Sequence, residues 1–294
     1  MTIRGQKLTL IDFVIFACVV AAIGYVAYRV ENVLIYKWDW SAIPSYLFRW
    51  DEATGSLIPN LLIKGLVTTI RITFWTMLVA SIIDVVLGIA RTSSRLFPRL
   101  VSWAYVEFIR NIPPVPFLFL FYFFIASQVM PLLGIDDAIR DMSPGTKVVA
   151  ELLFGPANLI SNFASGVVSL SMMAAAYIAE IVRAGVLAVP KGQLEAGHSI
   201  GLSHLQSMRY IVLPQAVARV VPPLAGQFIT LIKDSSLVAL ISIQELSFLA
   251  MEIAISEQRF FEVWIVTGAM YFVVCYSCAL VFGRLERRIG VHRR

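Results

Sequence analysis

Six runs of apolar residues dominate the sequence, at about residues 10–28, 59–90, 100–129, 159–189, 217–250 and 261–283. Crossing a hydrocarbon core about 30 Å thick takes about 20 helical residues, and each run approaches or exceeds that length. The composition agrees: 15% of residues are charged and 59% hydrophobic, where a soluble domain carries roughly 25% charged residues. A soluble chain of 294 residues would suggest two domains. This one is expected to be an all-α integral membrane protein of about six transmembrane helices.

The first run follows Arg4 and Lys7. It is longer than the usual apolar region of a signal peptide and no small-x-small site follows it, so an uncleaved span is expected. The connecting segments sort by charge. On one side lie Arg4 and Lys7, then Arg91, Arg95 and Arg99, then Arg183, Lys191, Arg209 and Arg219, and finally Arg284, Arg287, Arg288, Arg293 and Arg294, fourteen in all. On the other are six: Arg29, Lys37, Arg49, Arg140, Lys147 and Arg259, mixed with acids. Short loops rich in Lys and Arg stay cytoplasmic, so both termini are expected in the cytoplasm. The formal charge of +5 is thus spread over the ends of apolar runs and forms no nucleic-acid patch.

Cys18, Cys275 and Cys278 lie inside apolar runs with no His or carboxylate pattern beside them, so no metal site and no disulfide framework is expected. Between the first two runs, residues 31–60 hold Tyr36, Trp38, Trp40, Tyr46 and Trp50 among charges. They form either an interfacial aromatic belt or a docking surface for an extracytoplasmic partner.

The run at 217–250 would measure about 50 Å as one helix at 1.5 Å per residue. It contains Pro222, Pro223 and the polar sequence Lys233-Asp234-Ser235-Ser236. A break or bend is expected there, and irregular backbone at membrane depth is tolerated only beside protein or a water-filled cavity. That favours a transport pathway over a passive anchor.

The most punctuated stretch is residues 189–216. Gly201 suits the left-handed residue that closes a short helix. Ser203 with Gln206 three residues on is a capping-box pattern for a second one. Pro214 limits how far that second helix runs. This stretch resembles the cytoplasmic loop of ABC importer permeases, with the pattern Glu-Ala-Ala, three residues, Gly, and Leu-Pro about a dozen residues later. Glu195, Ala196, Gly201, Leu213 and Pro214 fall on it; Gly197 replaces the second Ala, at a helix-propensity cost of about 1 kcal/mol.

The resemblance narrows to the polar amino-acid (histidine/glutamine/glutamate-type) uptake family. Its characteristic runs resemble Gly65-Leu66-Val67-Thr68-Thr69, Tyr105-Val106-Glu107-Phe108-Ile109-Arg110-Asn111-Ile112-Pro113, Ala176-Tyr177-Ile178-Ala179-Glu180-Ile181-Val182-Arg183, Pro190-Lys191-Gly192-Gln193 and Leu231-Ile232-Lys233-Asp234-Ser235-Ser236-Leu237. It covers about residues 57–285, a five-span permease core. Residues 1–56 then make an N-terminal extension with an extra span, and 286–294 a basic cytoplasmic tail.

The resemblance implies a permease in the bacterial inner membrane that moves polar amino acids. Gln193, Glu195, Ala196, Gly197, His198, Gly201, Leu202, Leu213 and Pro214 would form the loop that couples to a separate ATPase. The implied partners are that ATPase, in two copies, a second permease chain, same or sister, and an extracytoplasmic amino-acid-binding protein. The sequence has no Gly-x-x-x-x-Gly-Lys-Ser/Thr phosphate loop. ATP and Mg would therefore sit on the partner, this chain would bind no cofactor, and it would catalyse no covalent chemistry.

An ionisable residue at mid-bilayer costs about 2.5–3.5 kcal/mol and needs a reason. Lys233, Asp234, Ser235 and Ser236, with Glu107 and Arg110 ahead of Pro113, are candidates for the pathway or its gate; Lys233 and Asp234 could instead be a structural pair. Glu180 and Arg183, three apart, are expected to pair at the membrane interface or to join span and loop. Lys64, Thr68, Arg71 and Trp75 share a helical face that meets either the pathway or the outer interface. Asp84 has no counterpart in the family pattern. His198 and His204 sit on the loop as surface or partner-contact residues. The intramembrane charges balance on sequence and choose no particular amino acid. An ion-driven secondary transporter, relaying through Glu107/Arg110 or Lys233/Asp234, and a non-transporting scaffold are the rival readings.

Overall fold

The structure, a computed structural model, describes residues 2–3, 6–7, 9–32, 36–93 and 95–289. Arg4, Arg293 and Arg294 of the charge pattern, and residues 290–294 of the basic tail, lie outside the described residues, as do 33–35 of the aromatic segment.

The chain forms two compact units, divided between Trp40 and Ser41. In the first, strands β1 (Thr2–Ile3) and β2 (Gln6–Lys7) pair antiparallel ahead of helix α1 (Leu10–Asn32). Helix α1 starts where it does because Asp12 accepts hydrogen bonds from both the Thr9 amide (2.7 Å) and the Thr9 hydroxyl (2.8 Å), satisfying a donor that the first turn leaves open. The rings of Trp38 and Trp40 stack at 5.8 Å.

The second unit begins with α2 (Ile43–Leu47) and a hairpin of β3 (Phe48–Asp51) and β4 (Ser56–Pro59), turned at Gly55, whose φ is +62°. Residues 41–56, assigned on sequence to the N-terminal extension, are thus continuous with the helical unit. Asn60 ties the hairpin down, donating from its amide to Leu47 O (2.8 Å) and from its side chain to Ser45 O (2.6 Å). Helix α3 (Leu61–Thr92) follows, then α4 (Leu96–Asn111), α5 (Pro114–Phe121), a π-helical turn at Tyr122–Ala126, α6 (Ser127–Leu132), α7 (Ile135–Arg140), α8 (Pro144–Phe154) and α9 (Ile160–Leu187). Next come α10 (Lys191–Ser199), α11 (His204–Ser207), α12 (Leu213–Asp234), α13 (Leu246–Ser256) and α14 (Phe260–Ile289).

Among the described residues six helical segments are long and apolar enough to cross a membrane: Leu10–Val30, Leu61–Arg91, Pro114–Leu132, Ala157–Leu187, His204–Ile241 and Phe260–Arg287. The number matches the sequence expectation, and two boundaries move. The run at 100–129 is not one crossing. Ile112 (ψ 134°) and Pro113 (ψ 141°) are extended, because a residue ahead of proline is pushed out of the helical region. Helix α4 therefore ends at Asn111, and the span begins at Pro114, where a missing N–H costs nothing. In the run at 217–250, α12 passes through Pro222 and Pro223 and breaks after Asp234. A 3₁₀ turn (Ser235–Ile241) and a left-handed Ser242 (φ +61°) lead on to α13.

Helix α9 is the axis of the core. Ser165, Gly166, Ser169, Ser171, Ala174, Ala175, Ala176 and Ala179 are buried along it, and small residues let neighbouring membrane helices approach closely. Its serines donate to carbonyls within their own helix, Ser169 to Ser165 O (2.7 Å) and Ser171 to Val167 O (2.6 Å), so none is left unsatisfied in an apolar setting. Ala80 of α3 and Leu231 of α12 close on Ala174, Ala175 and Ile178. The loop of α10 and α11 marks one end of this bundle, the hairpin the other.

Candidate functional site

At the loop end, α10 stops as the sequence predicts. Gly201 sits at φ +85°; its amide donates to His198 O (3.0 Å) and that of Leu202 to Gly197 O (3.1 Å), the double bond of a Schellman closure. Ser203 and Gln206 form both halves of a capping box at α11. Gly197 does not loosen the helix. A Cβ there would meet Ser207 Oγ at 2.6 Å and Ile211 Cδ1 at 2.9 Å, so the glycine lets α10 lie directly against α11. Gln193 Oε1 accepts from Gln215 Nε2 (3.2 Å), joining α10 to α12. Glu195, Ala196, His198 and, at the start of α12, Leu213 and Pro214 are exposed, and the rings of His198 and His204 stack at 6.0 Å. The loop is a preformed helical corner whose exposed surface mixes polar residues with Ile200, Leu205 and Tyr210.

Just inside it lies an ion cluster that the sequence reading only half found. Glu180 pairs with Arg183, as expected, and also accepts from Arg91 Nη1 at 2.7 Å. The Arg91 side chain is 9% exposed, and its other nitrogen stands 4.0 Å from Glu107 Oε1. Arg91 therefore fastens α3 to α9, and brings α4 close. Arg91 looked like a loop cation because its partner stands 89 residues away in sequence. Glu107 and Arg110, three apart, do not pair with each other: Glu107 takes the Asn111 amide (3.3 Å), and Arg110 lies over the Tyr177 ring at 5.9 Å.

Two cavities open on the bundle. One, of about 450 Å³ at the loop end, is lined by Arg110, Tyr177, Glu180, Arg219, Pro223 and Gln227, among others. The other, of about 590 Å³ at the hairpin end, is lined by Lys64, Thr68, Arg71, Asn162, Phe163 and Gln244, with others. The face of Lys64, Thr68 and Arg71 thus meets a cavity, while Trp75 leaves it, donating to Leu153 O (3.1 Å) and stacking on Phe154. Their charges do not balance, against the sequence expectation.

One face of α12 runs from the loop-end cavity, which Arg219 and Pro223 line, to the break after Asp234. Arg219, Pro223, Gly226 and Lys233 are exposed along it and Thr230 is half-buried; steps of four, three, four and three residues keep the five in one stripe. At the break, Ser235 and Ser236 donate to Ile232 O (2.8 Å) and Lys233 O (2.7 Å), the expected role of satisfying freed carbonyls. Lys233 and Asp234 form no ion pair within 4.0 Å among the described residues.

The break has an anchor that sequence reasoning missed. Glu245, fully buried, accepts from the Phe248 amide (2.8 Å), Tyr271 OH (2.7 Å) and Thr69 Oγ1 (3.1 Å). Thr69 accepts in turn from the Leu246 amide (3.2 Å). Glu245 so caps α13 and binds it to α3 and α14. The sequence carries no sign of this role, since glutamate is not among the favoured N-cap residues. Asp84 is buried in α3 at 2% exposure. Among the described residues no cluster of three or more His, Cys, Asp or Glu could hold a metal ion.

Residues 85–291 match a family described as binding-protein-dependent transport system inner membrane component. The chain is 32% identical over 255 residues to the glutamine transport system permease protein GlnP of Escherichia coli (strain K12), covering 87% of this chain and 99% of that one. It is 32% identical over 256 residues to the glutamate/aspartate import permease protein GltK of Escherichia coli O157:H7, covering 86% and 99%. A solved structure described as an amino acid ABC transporter with histidines superposes with a TM-score of 0.66 at 28% identity, over 86% of this chain and 100% of that one. The MetNI methionine ABC transporter, in inward-facing conformations, shares the fold at a TM-score of 0.58 and 18% identity, over 78% and 96%.

Proposed function

The chain belongs to the family of binding-protein-dependent transport system inner membrane components, as a permease subunit of an ABC importer, and from that premise we propose that it carries polar amino acids along the exposed stripe of α12. It is a multi-pass protein of the inner membrane. ATP hydrolysis belongs to a separate subunit, and such permeases work with that ATPase and a second permease.

The stripe of Arg219, Pro223, Gly226, Thr230 and Lys233 carries the reading. Two charges, a hydroxyl and a bare glycine on one face of a membrane helix are expensive against lipid. Facing the second permease across a wet pathway, they need no further compensation. The stripe starts in the loop-end cavity, which Arg219 and Pro223 line, and ends at the break after Asp234.

Coupling falls to the corner of α10 and α11. The Schellman closure, the capping box and the Gly197 contact give it a fixed shape, which a lever between an ATPase cleft and α12 requires. ATP and Mg bind on the partner. The distribution of Lys and Arg supports a cytoplasmic side for this loop and both termini, which leaves the hairpin end, with Tyr46 and Trp50, to meet an extracytoplasmic binding protein. An ion-driven relay through Glu107/Arg110 or Lys233/Asp234 is disfavoured, since the members of neither couple form an ion pair with each other within 4.0 Å among the described residues.

The test is to purify the complex in mild detergent, reconstitute it in vesicles with its binding protein, and measure ATP hydrolysis against a panel of amino acids. Co-purification of an ATPase and stimulation by one or more polar amino acids is the expected result. An ATPase that no amino acid stimulates would overturn the substrate reading.

A further inference from the structure

The charges that line the two cavities go beyond the general reading and narrow the substrate. The hairpin-end cavity contains Lys64 and Arg71 and no carboxylate. Arg71 is half-buried, with a guanidinium nitrogen 3.6 Å from where a Cβ on Gly155 would stand. Gly155 itself has φ +103°, so the turn that makes room for the guanidinium is one only glycine adopts comfortably. The acids on neighbouring elements are engaged elsewhere. Glu151 accepts from the Ala157 amide at 3.3 Å. Glu245, next to the lining residue Gln244, spends its carboxylate on Phe248, Tyr271 and Thr69. Among the described residues neither Lys64 nor Arg71 has a carboxylate within 4.0 Å.

The loop-end cavity repeats the imbalance. Arg110 and Arg219 line it, and its one acid, Glu180, is already shared between Arg91 and Arg183. Along the stripe of α12, Lys233 is matched by the adjacent half-buried Asp234. Both cavities therefore present uncompensated positive charge, an arrangement that concentrates anions and repels cations. The hairpin-end cavity is otherwise walled by Phe154, Leu159, Phe163 and Leu249, the mix of apolar surface and few polar groups usual for a small-molecule site.

We infer that the amino acid carried is acidic, with two carboxylates and one ammonium, and that Lys64 and Arg71 select it by taking its side-chain carboxylate. This rests on the amino-acid reading above and adds the sign of the charge. Arginine and lysine are excluded by the same field, and neutral amino acids gain less from it.

The experiment uses the whole complex in vesicles, comparing uptake of labelled L-glutamate, L-aspartate, L-glutamine and L-arginine. Wild type is expected to prefer the two acids. A Lys64→Gln/Arg71→Gln chain should lower the glutamate-to-glutamine uptake ratio at least tenfold, and Lys64→Arg/Arg71→Lys should restore most of it. Because the measure is a ratio, a general loss of folding does not mimic the result. A ratio unmoved by the neutral variant, or a wild type that prefers glutamine or arginine, overturns the inference and leaves the amino-acid reading standing. Uptake of none of the four also overturns the inference, while the amino-acid reading falls only if no amino acid of the wider panel stimulates the ATPase.

Discussion

Gly65 stands where α3 crosses the first turn of α13, and a Cβ there would lie 2.8 Å from Leu246 Cα and 3.1 Å from Glu245 O. Both obstacles are backbone, so nothing can rotate aside. Gly65→Ala is expected to destabilise the folded unit by about 2 kcal/mol through overpacking, read as a lower melting temperature in detergent; an unchanged melt would contradict the close crossing. Glu245, a few ångströms away, answers to a different rule. Removing its carboxylate in Glu245→Ala strands a buried amide and two hydroxyls, a loss of about 3 kcal/mol or more. Gln at 245 keeps an acceptor and lets the hydroxyls reorient, so Glu245→Gln should cost markedly less. Equal melting of the two variants would show that the network holds nothing. Neither role was legible in the sequence. A glycine and an acid 180 residues apart carry no local mark of their contact, whereas Gly201, Ser203 and Gln206 were readable because their partners lie within a few residues.

At the scale of elements, the sequence foretold those features that local chemistry controls. The polar run at 233–236 located the break, with serines on the freed carbonyls. The run at 100–129, by contrast, reads as one span, whereas Pro113 and Pro114 end α4 and begin the next helix. The prolines at 222 and 223 misled in part: they sit within α12, which packs along α9 and continues through them. The loop between spans is the element with the sharpest test. Gly201 holds φ +85°, with two amides of the closure depending on it; a β-branched residue there is strained by about 1–2 kcal/mol. Gly201→Val is expected to leave membrane insertion intact while separating ATP hydrolysis from uptake, measured as hydrolysis per amino acid moved. Normal uptake by that chain would contradict the assignment of α10 as the coupling element.

For the whole molecule, six spans and their order could be read from hydropathy alone, because bilayer thickness fixes the length of an apolar helix. How α3, α9 and α12 enclose two cavities could not, since an all-apolar run does not reveal which face is buried against small residues and which is left open. The first unit, with α1, is assigned an accessory role. Replacing α1 with an unrelated apolar helix of equal length and orientation should preserve uptake, and loss of uptake at full expression would refute that role. The central claim concerns the stripe of α12, and thiol accessibility tests it directly. With Cys18, Cys275 and Cys278 replaced, single cysteines at Gly226, Thr230 and Lys233 are compared with ones at the buried Leu231 and Ile232. A membrane-impermeant thiol reagent should label the stripe positions, with extents that change on adding ATP or binding protein, and should spare Leu231 and Ile232. A stripe that stays unlabelled in every state, or labels no faster than the buried pair, would show that α12 does not line the pathway.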